Sequence, residues 1–566
     1  MKDLYQKLRS FSGKKYGLYK SLAQRSWNFG DFTLNFLHVQ GDPYAPASRI
    51  SLTVPLRILN YSGNLVANPV QGLAFADYLL RRLVKEIENR EDASMFSVAR
   101  PGQEMLLRNT VSIGNFSAEK ETEVQILMGV KLPGDHRLID SPAVIDSLTR
   151  ILPDILLSAL YGSSAEELEA ARKHIETLEL RNALQEAALA AGFVAFISNG
   201  AVLPRASGLS DLPRAAAFPF KAPENLTVTL EALGKKISGM GISKGITVIA
   251  GGAYHGKSTL LSALESAVYP HIPGDGRELV VVDPTAFRVR SEEGRSVRET
   301  RIAPLVRRLP GDISTEKFST TAASGSTSEA ANLFEALECG VKTVLIDEDV
   351  SAVNFLIRDT RMRNLLGSGG EPLIPLIERV REMADRGIHF IFVIGACGDF
   401  LAEADQVIVM NNYRAEDKTQ EAKKIVLENP YARSPENYPP FSAFESRPFL
   451  EWMKPLAPGI RPASAQERLV KVRLQNEERL QVGYLQADLR YISGLRENAE
   501  RYAAGLIALN AIQSAEDKTL MEALEKICGQ IQKSGFGKLP QGLSRDTALP
   551  RPLEIAAVLF RLTLTK

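Results

Sequence analysis

A chain of 566 residues is more than one hydrophobic core organises, so several domains are expected. Its 45% hydrophobic and 24% charged residues are the balance of a water-soluble globular protein, and a net charge of +1 excludes attraction to polyanions by overall charge alone. The three cysteines, Cys339, Cys397 and Cys528, lie far apart without metal-type spacing and read as reduced thiols of a cytoplasmic protein. The N-terminus lacks a secretory apolar region, and no apolar run approaches the ~20 residues that cross a bilayer, so no membrane insertion is expected.

In chain order, residues 1–45 are rich in Lys, Arg and aromatics, and Ile50–Ile58 alternates as a strand does. Leu73–Glu88 has helical spacing, Leu106–Ser117 and Val124–Leu132 read as strands, and Ala143–Leu160 as a helix broken at Pro153. Together 1–162 read as an α+β N-terminal domain. Residues 163–192 are expected to form a linking amphipathic helix that opens with Ser163-Ser164-Ala165-Glu166-Glu167, a capped start.

From 193 to 428 short apolar strands alternate with helices: Val194–Ile197, Leu226–Leu230, Ile246–Ala250, Leu279–Asp283, Thr343–Asp347, His389–Ile394 and Gln406–Met410. That alternation predicts an α/β domain with a mostly parallel sheet. Residues 429–465, rich in Pro, Ser and aromatics, read as a connecting segment, and 466–566 as a helical C-terminal domain.

Gly251-Gly252-Ala253-Tyr254-His255-Gly256-Lys257-Ser258 fits G-x-x-x-x-G-K-[ST] at every fixed position, with a predicted strand before it and a helix from Thr259 after it. Glycines let the backbone fold around an anion, whose charge the loop amides and the helix N-terminus meet. Lys257 supplies a point charge to the β- and γ-phosphates, and the Ser258 hydroxyl suits Mg²⁺. His255, at an unconstrained position, reads either as a phosphate contact or as filler. The buried run Thr343–Ile346 ends in Asp347-Glu348. An acid at the carboxyl end of such a strand can hold the metal's water shell, and Glu348 can orient or deprotonate an attacking water.

Ala323-Ser324-Gly325-Ser326-Thr327-Ser328 resembles the signature segment of ABC ATPases and lies 23 residues before Asp347, as it does in that family. Asp347-Glu348-Asp349-Val350-Ser351-Ala352-Val353-Asn354 resembles the run that includes the family's D-loop. The resemblance implies an ABC-type ATPase domain at 193–428 in which Ser324, Gly325 and Ser326 face the γ-phosphate held by a second subunit, hence a homodimer. Two departures stand out. No glutamine occurs between Gln185 and Gln406, so the Q-loop and signature glutamines are missing, and Phe287–Arg295 offers acids and arginines instead. Val393–Phe400 has no switch histidine; Asp399 is a stand-in or a helix-capping acid.

Over most of its length the chain resembles a narrower family, the predicted ATPases of the ABC class. The matching stretches include Gly30–Leu34, His38–Pro43, Pro204–Gly208, Gly252–Leu261, His271–Glu278, Ala323–Thr327 and Asp347–Asp349. This resemblance implies a soluble ATPase with extra N- and C-terminal domains, some members of which are associated with RNA processing. His271, Asp275 and Arg277 form a polar loop that either lines the nucleotide site or is a structural turn.

Seven cations, Lys2, Lys7, Arg9, Lys14, Lys15, Lys20 and Arg25, meet one acid in the first 25 residues and interleave with Tyr5, Phe11, Tyr16, Tyr19, Trp27 and Phe29. Cations beside stacking rings are what a single-stranded nucleic-acid surface needs; the alternative is a basic terminus whose rings pack in the core. The reading is Mg²⁺-dependent ATP hydrolysis by a homodimer acting on RNA or another nucleic acid, with Lys257 and Glu348 catalytic and Ser258 and Asp347 on the metal. A transporter's soluble subunit and a P-loop kinase of a small substrate are the rivals.

Overall fold

The structure, a computed structural model, describes every residue except 24, 62–64, 115–120, 163, 209, 367–370, 432–437, 439–440, 442–445, 463–468, 515–517 and 565–566. Its contacts divide the chain into two units: Met1–Glu179 with Glu497–Leu506 and Cys528–Pro550, and Leu180–Arg496 with Ile507–Ile527 and Arg551–Lys566.

In the first unit, alternate side chains of Ser48–Pro55 are buried, and this strand stands between Thr33–His38 and Glu123–Val130 in a six-stranded antiparallel sheet. Helix Pro69–Glu88, capped by the Asn68 side chain, contributes Phe75, Leu79 and Leu83 to the core. Of the expected strand Leu106–Ser117, Val111–Gly114 is observed, and 115–117 lie outside the described residues. The expected break at Pro153 does not occur. Ser141–Leu160 stays helical because Ser147–Ile151 widens into a π-type turn, easing the clash between the proline ring and the carbonyl of Thr149. Helix Ala165–Ala190 opens on the expected capping box, with the Glu167 N–H donating to Ser164 Oγ and the Ser164 N–H to the Glu167 carboxylate.

Four of the six N-terminal aromatics are core residues and not base platforms, while Tyr5 is exposed and Phe29 half-buried. Phe11, Tyr16 and Tyr19 are at most 2% exposed, Trp27 is buried, and the Tyr16 and Tyr19 rings meet edge to face. Their hydroxyls donate to the Leu132 and Pro133 carbonyls. Each ring had a closed apolar site to fill, which its spacing among lysines could not reveal. Lys2, Arg9, Lys14, Lys15, Lys20 and Arg25 remain exposed.

The second unit contains the strands β1 (Ile246–Gly251), β2 (Phe287–Val289), β3 (Thr343–Asp347), β4 (His389–Ile394), β5 (Gln406–Asn411) and β6 (Arg414–Asp417). They form one sheet in the order β2-β3-β4-β1-β5-β6, parallel except for the β5–β6 hairpin. Helix α1 (Lys257–Ser266) follows β1, α2 (Gly325–Glu338) precedes β3, and α3 (Pro552–Arg561) comes near the C-terminus. Val280–Val282, expected in this sheet, instead pairs antiparallel with Phe193–Ser198 in a four-stranded sheet completed by Thr227–Ala232 and Lys235–Ser243.

The C-terminal segment is mixed, not helical throughout. Val472–Asn476, Arg479–Val482 and Leu485–Asp488 form an antiparallel sheet closed by Thr563–Leu564. Every second residue is buried there, Leu480 and Val482 then Leu485 and Ala487, a period of two that the charged turn between strands masks in the sequence.

Arg561 on α3 donates to both oxygens of Glu292, the Nε–Oε2 distance being 3.0 Å, with side-chain exposures of 4% and 2%. The Glu292 carboxyl also accepts from Asn332 Nδ2. Removing one partner of so buried a pair strands a charge. Arg561→Met is therefore expected to cost about 3–5 kcal/mol of unfolding free energy in urea melts, and Arg561→Met with Glu292→Leu to recover most of it.

Candidate functional site

β1 ends at Gly251 in a conformation, φ +145°, that places the position of a Cβ 2.4 Å from the Met410 carbonyl oxygen of β5. Gly256, at φ +101°, caps α1, and a Cβ there would stand 2.8 Å from the Tyr413 ring. Both glycines are required by backbone conformation and by space. Between them the loop carries Tyr254, itself left-handed at φ +63° and 94% exposed. Lys257 Nζ donates to the Gly251 and Gly252 carbonyls at 2.6 and 2.9 Å, folding its charge over the loop. Ser258 and Thr259 follow on the first turn of α1, where N–H groups have no helical acceptor. His255 holds the loop to the β5–β6 turn: its Nδ1 accepts from the Asn412 N–H at 3.0 Å, and its carbonyl from the Tyr413 N–H.

Asp347 closes β3, two strands from the loop, and is buried. Burial raises its pKa, against the pull of Arg288, whose Nη2 lies 3.0 Å from Oδ2. Arg288 stands on β2 and its Nη1 reaches Glu265 Oε2, on α1, at 3.1 Å. Glu348 is held by backbone. Its Oε2 accepts from the Gly395 and Ala396 N–H groups at 2.6 and 2.9 Å, and its Oε1 from Cys397 N–H at 3.1 Å. Burial acts to raise its pKa, but these amides outweigh it and keep the carboxyl below its usual range. The turn after β4, which lacks a histidine, thus grips Glu348 through main-chain donors, while Asp399 lies in the first turn of the short helix Gly398–Ala402.

Ser324 caps α2 with its hydroxyl 2.9 Å from Thr327 Oγ1. Gly325 is tightly approached, since a Cβ would lie 2.8 Å from Ser291 Oγ. Ser326 is buried. Around this turn the 290–295 segment makes close backbone contacts: Ser291 N–H to the Val350 carbonyl, Glu292 N–H to Ser328 Oγ, and a reciprocal pair linking Ala323 to Gly294 and Arg295. Sequence spacing singled out Ser324 and Asp347 as candidates, whereas Arg288, the Gly395–Cys397 amides and Glu329 carried no motif.

A cleft of about 150 Å³ opens beside the loop, lined by Pro204, Phe218, Phe220, Thr259, Met410 and Tyr413 among others. Phe218 is 76% exposed. The 201–206 stretch behind it is fixed by Arg205, which donates to Asp275 Oδ2 at 2.8 Å, by His271 Nδ1, 2.8 Å from the same oxygen, and by Arg277, which donates to the Leu203 carbonyl. His271, Asp275 and Arg277 are buried, so they act as struts of that loop.

Glu329, on α2, is fully buried and its Oε2 accepts from the Ala352 N–H at 2.7 Å, tying α2 to the 349–352 turn. Burial pushes its pKa up to about 7, with the Ala352 amide, the Ser351 hydroxyl and Arg290 pulling the other way. A carboxyl raised above its unfolded value favours the fold while protonated, and that contribution is lost as pH climbs through about 7. Glu329→Gln, neutral at every pH, is expected to gain on the order of 3 kcal/mol relative to the parent between pH 5 and pH 8. Paired urea melts at the two pH values check it.

Three family models match the chain: an ATPase-of-the-ABC-class N-terminal domain over 1–163, a P-loop domain of ABC ATPases over 167–447, and the MRB1590 C-terminal domain over 471–566. A curated relative, the uncharacterized protein MJ1628 of Methanocaldococcus jannaschii, is 31% identical over 207 residues. That match takes in 36% of this chain and 45% of the relative's length. Among solved structures, cbiO1 from Clostridium perfringens, described as part of the ABC transporter complex cbiONQ, is 15% identical, with 42% of this chain and 96% of that one covered and a TM-score of 0.27. A nucleotide-free ATP-binding cassette from an ABC transporter is 14% identical over 42% and 96% of the two chains, with a TM-score of 0.25. With its phosphate-binding loop between β1 and α1 and domain matches along nearly its whole length, the chain belongs to the ABC-class ATPase family with extra N- and C-terminal domains.

Proposed function

We propose that the protein hydrolyses ATP with Mg²⁺ at the loop 251–258 and that two copies complete each site. The observation that carries this reading is the convergence of Lys257, Asp347 and the amide-held Glu348 at one edge of the parallel sheet. The cleft beside Gly256 and Thr259 takes the nucleotide base, with the exposed Phe218 ring and Tyr413 as apolar walls. Ser258 and Asp347 offer hard oxygen donors, which suit Mg²⁺, and would hold it. When bound there, Mg²⁺ offsets the phosphate charge.

Glu348 orients the attacking water. A carboxylate fixed by three N–H donors keeps lone pairs for a water proton, though its lowered pKa makes positioning its larger contribution. Ser324, exposed, and Gly325, half-buried, start α2 and serve the γ-phosphate of a second copy, which supports a homodimer. The transporter-subunit and kinase readings have no specific observation in their favour. Among the described residues no helix is long and apolar enough to cross a membrane, and a cytoplasmic setting is the one we adopt.

Glu348→Gln is expected to lose ATP turnover by a factor of about 100 or more while still binding ATP, whereas Lys257→Ala weakens binding itself. Equilibrium nucleotide binding and steady-state hydrolysis of both variants decide it, and full turnover in Glu348→Gln sinks the assignment. Light scattering of Glu348→Gln with ATP and Mg²⁺ reports the dimer.

The exposed N-terminal cations favour a polyanionic partner, RNA or another single-stranded nucleic acid, held mainly through phosphates since Phe11, Tyr16, Tyr19 and Trp27 are buried. Replacing Lys14, Lys15 and Lys20 by Ala should weaken oligonucleotide binding equally for all sequences. It should also flatten the log–log salt slope by about 0.7 per lost contact, read by fluorescence anisotropy. Tyr16→Ala should lower the melting temperature, and a loss of affinity without that loss of stability would contradict the buried placement.

A further inference from the structure

Arg288 is not part of the recognised motifs, yet it stands at the heart of the site. Its guanidinium spans two carboxylates, Asp347 at 3.0 Å and Glu265 at 3.1 Å, with side-chain exposures of 17%, 6% and 9%. Arg288 comes from β2, whose register sets it opposite Leu345 on β3, so the strand pairing aims it at the acid two residues on. Glu265 lies on α1, the helix that begins with Lys257 and Ser258. Arg496 also acts on Glu265, and its charge completes a set of two acids and two guanidiniums.

That set is neutral. A divalent cation at Asp347 would have to share a carboxylate that Arg288 already occupies, and two cations on one carboxylate oxygen repel. Glu265 gives the guanidinium a second anion to keep when it releases the first.

We propose that Arg288 is the in-chain counter-cation of Asp347 and competes with the divalent metal for that carboxylate, so that metal binding exchanges Arg288 from Asp347 onto Glu265. The proposal rests on the reading of Asp347 as the metal-holding acid. In the metal-free chain Arg288 stabilises a buried acid on which Lys257 is the other cation acting. In the loaded site it moves toward α1, and because β2 continues into the 290–295 segment, the exchange is felt where that segment meets the signature turn.

The test uses the full chain with a non-hydrolysable ATP analogue at pH 8, where carboxylates are ionised. Two quantities are measured: the Mg²⁺ concentration that half-saturates analogue binding, and Mn²⁺ uptake by electron paramagnetic resonance. Arg288→Gln removes the competing charge and should lower the half-saturating concentration of both metals by about tenfold. Arg288→Lys keeps a charge but cannot bridge two carboxylates with one planar fork, so a smaller shift in the same direction is expected. It carries the test if the glutamine variant does not fold. An unchanged or raised half-saturating concentration in a folded Arg288 variant overturns the proposal. Asp347→Asn separates the two readings. If it leaves the parent's metal dependence intact, the assignment of Asp347 to the metal fails. If it abolishes that dependence while Arg288 variants match the parent, the competition alone fails.

Discussion

Backbone hydrogen bonds across β3, β4 and β1 set where each site residue can stand. Asp347 pairs with Val393, and Ile394 with Ala250, so the three strands end nearly level at their carboxyl edge. From that shared edge leave the phosphate-type loop, the Asp347-Glu348 pair and the Gly395–Cys397 turn. A register slip of one residue in β3 would turn Asp347 to the other face and withdraw Glu348 from its amides. Sheet packing enforces the register, since Val344, Leu345, Ile346, Ile391, Phe392 and Ile249 are all at most 1% exposed. The chemistry at the edge thus depends on apolar side chains that never touch it.

The 288–295 segment carries most of the remaining organisation. In eight residues it pairs with Asp347 through Arg288, contacts Val350 and Ser328 through backbone, and meets Arg561 of α3 through Glu292. Arg295 adds an ion pair to Glu335 on α2, and Arg290 lies over the Tyr491 ring. A glutamine could not anchor this many buried partners, and charges are retained here because each has an opposite one within reach. The same segment is therefore committed to the chain's own α2 and α3, which sets it apart from a surface loop left free to receive another protein.

Local sequence determined the phosphate-type loop, because Gly251 and Gly256 must hold conformations that L side chains avoid, and the buried strand that ends in Asp347. It determined the capped start around Ser164 and the helix start at Ser324, since these depend on neighbours three residues away. Tertiary structure alone decided the rest. Whether Tyr16 and Tyr19 stack on bases or fill a core depends on residues 132 and 133, more than a hundred positions distant. The C-terminal strands pair with one another and with Thr563–Leu564, a contact over some eighty residues that helical periodicity cannot register. Arg288 becomes a partner of Asp347 only when β2 lies beside β3, and Glu348 finds its donors in backbone amides, which are identical in every sequence and become a site only when a turn aims three of them at one carboxylate.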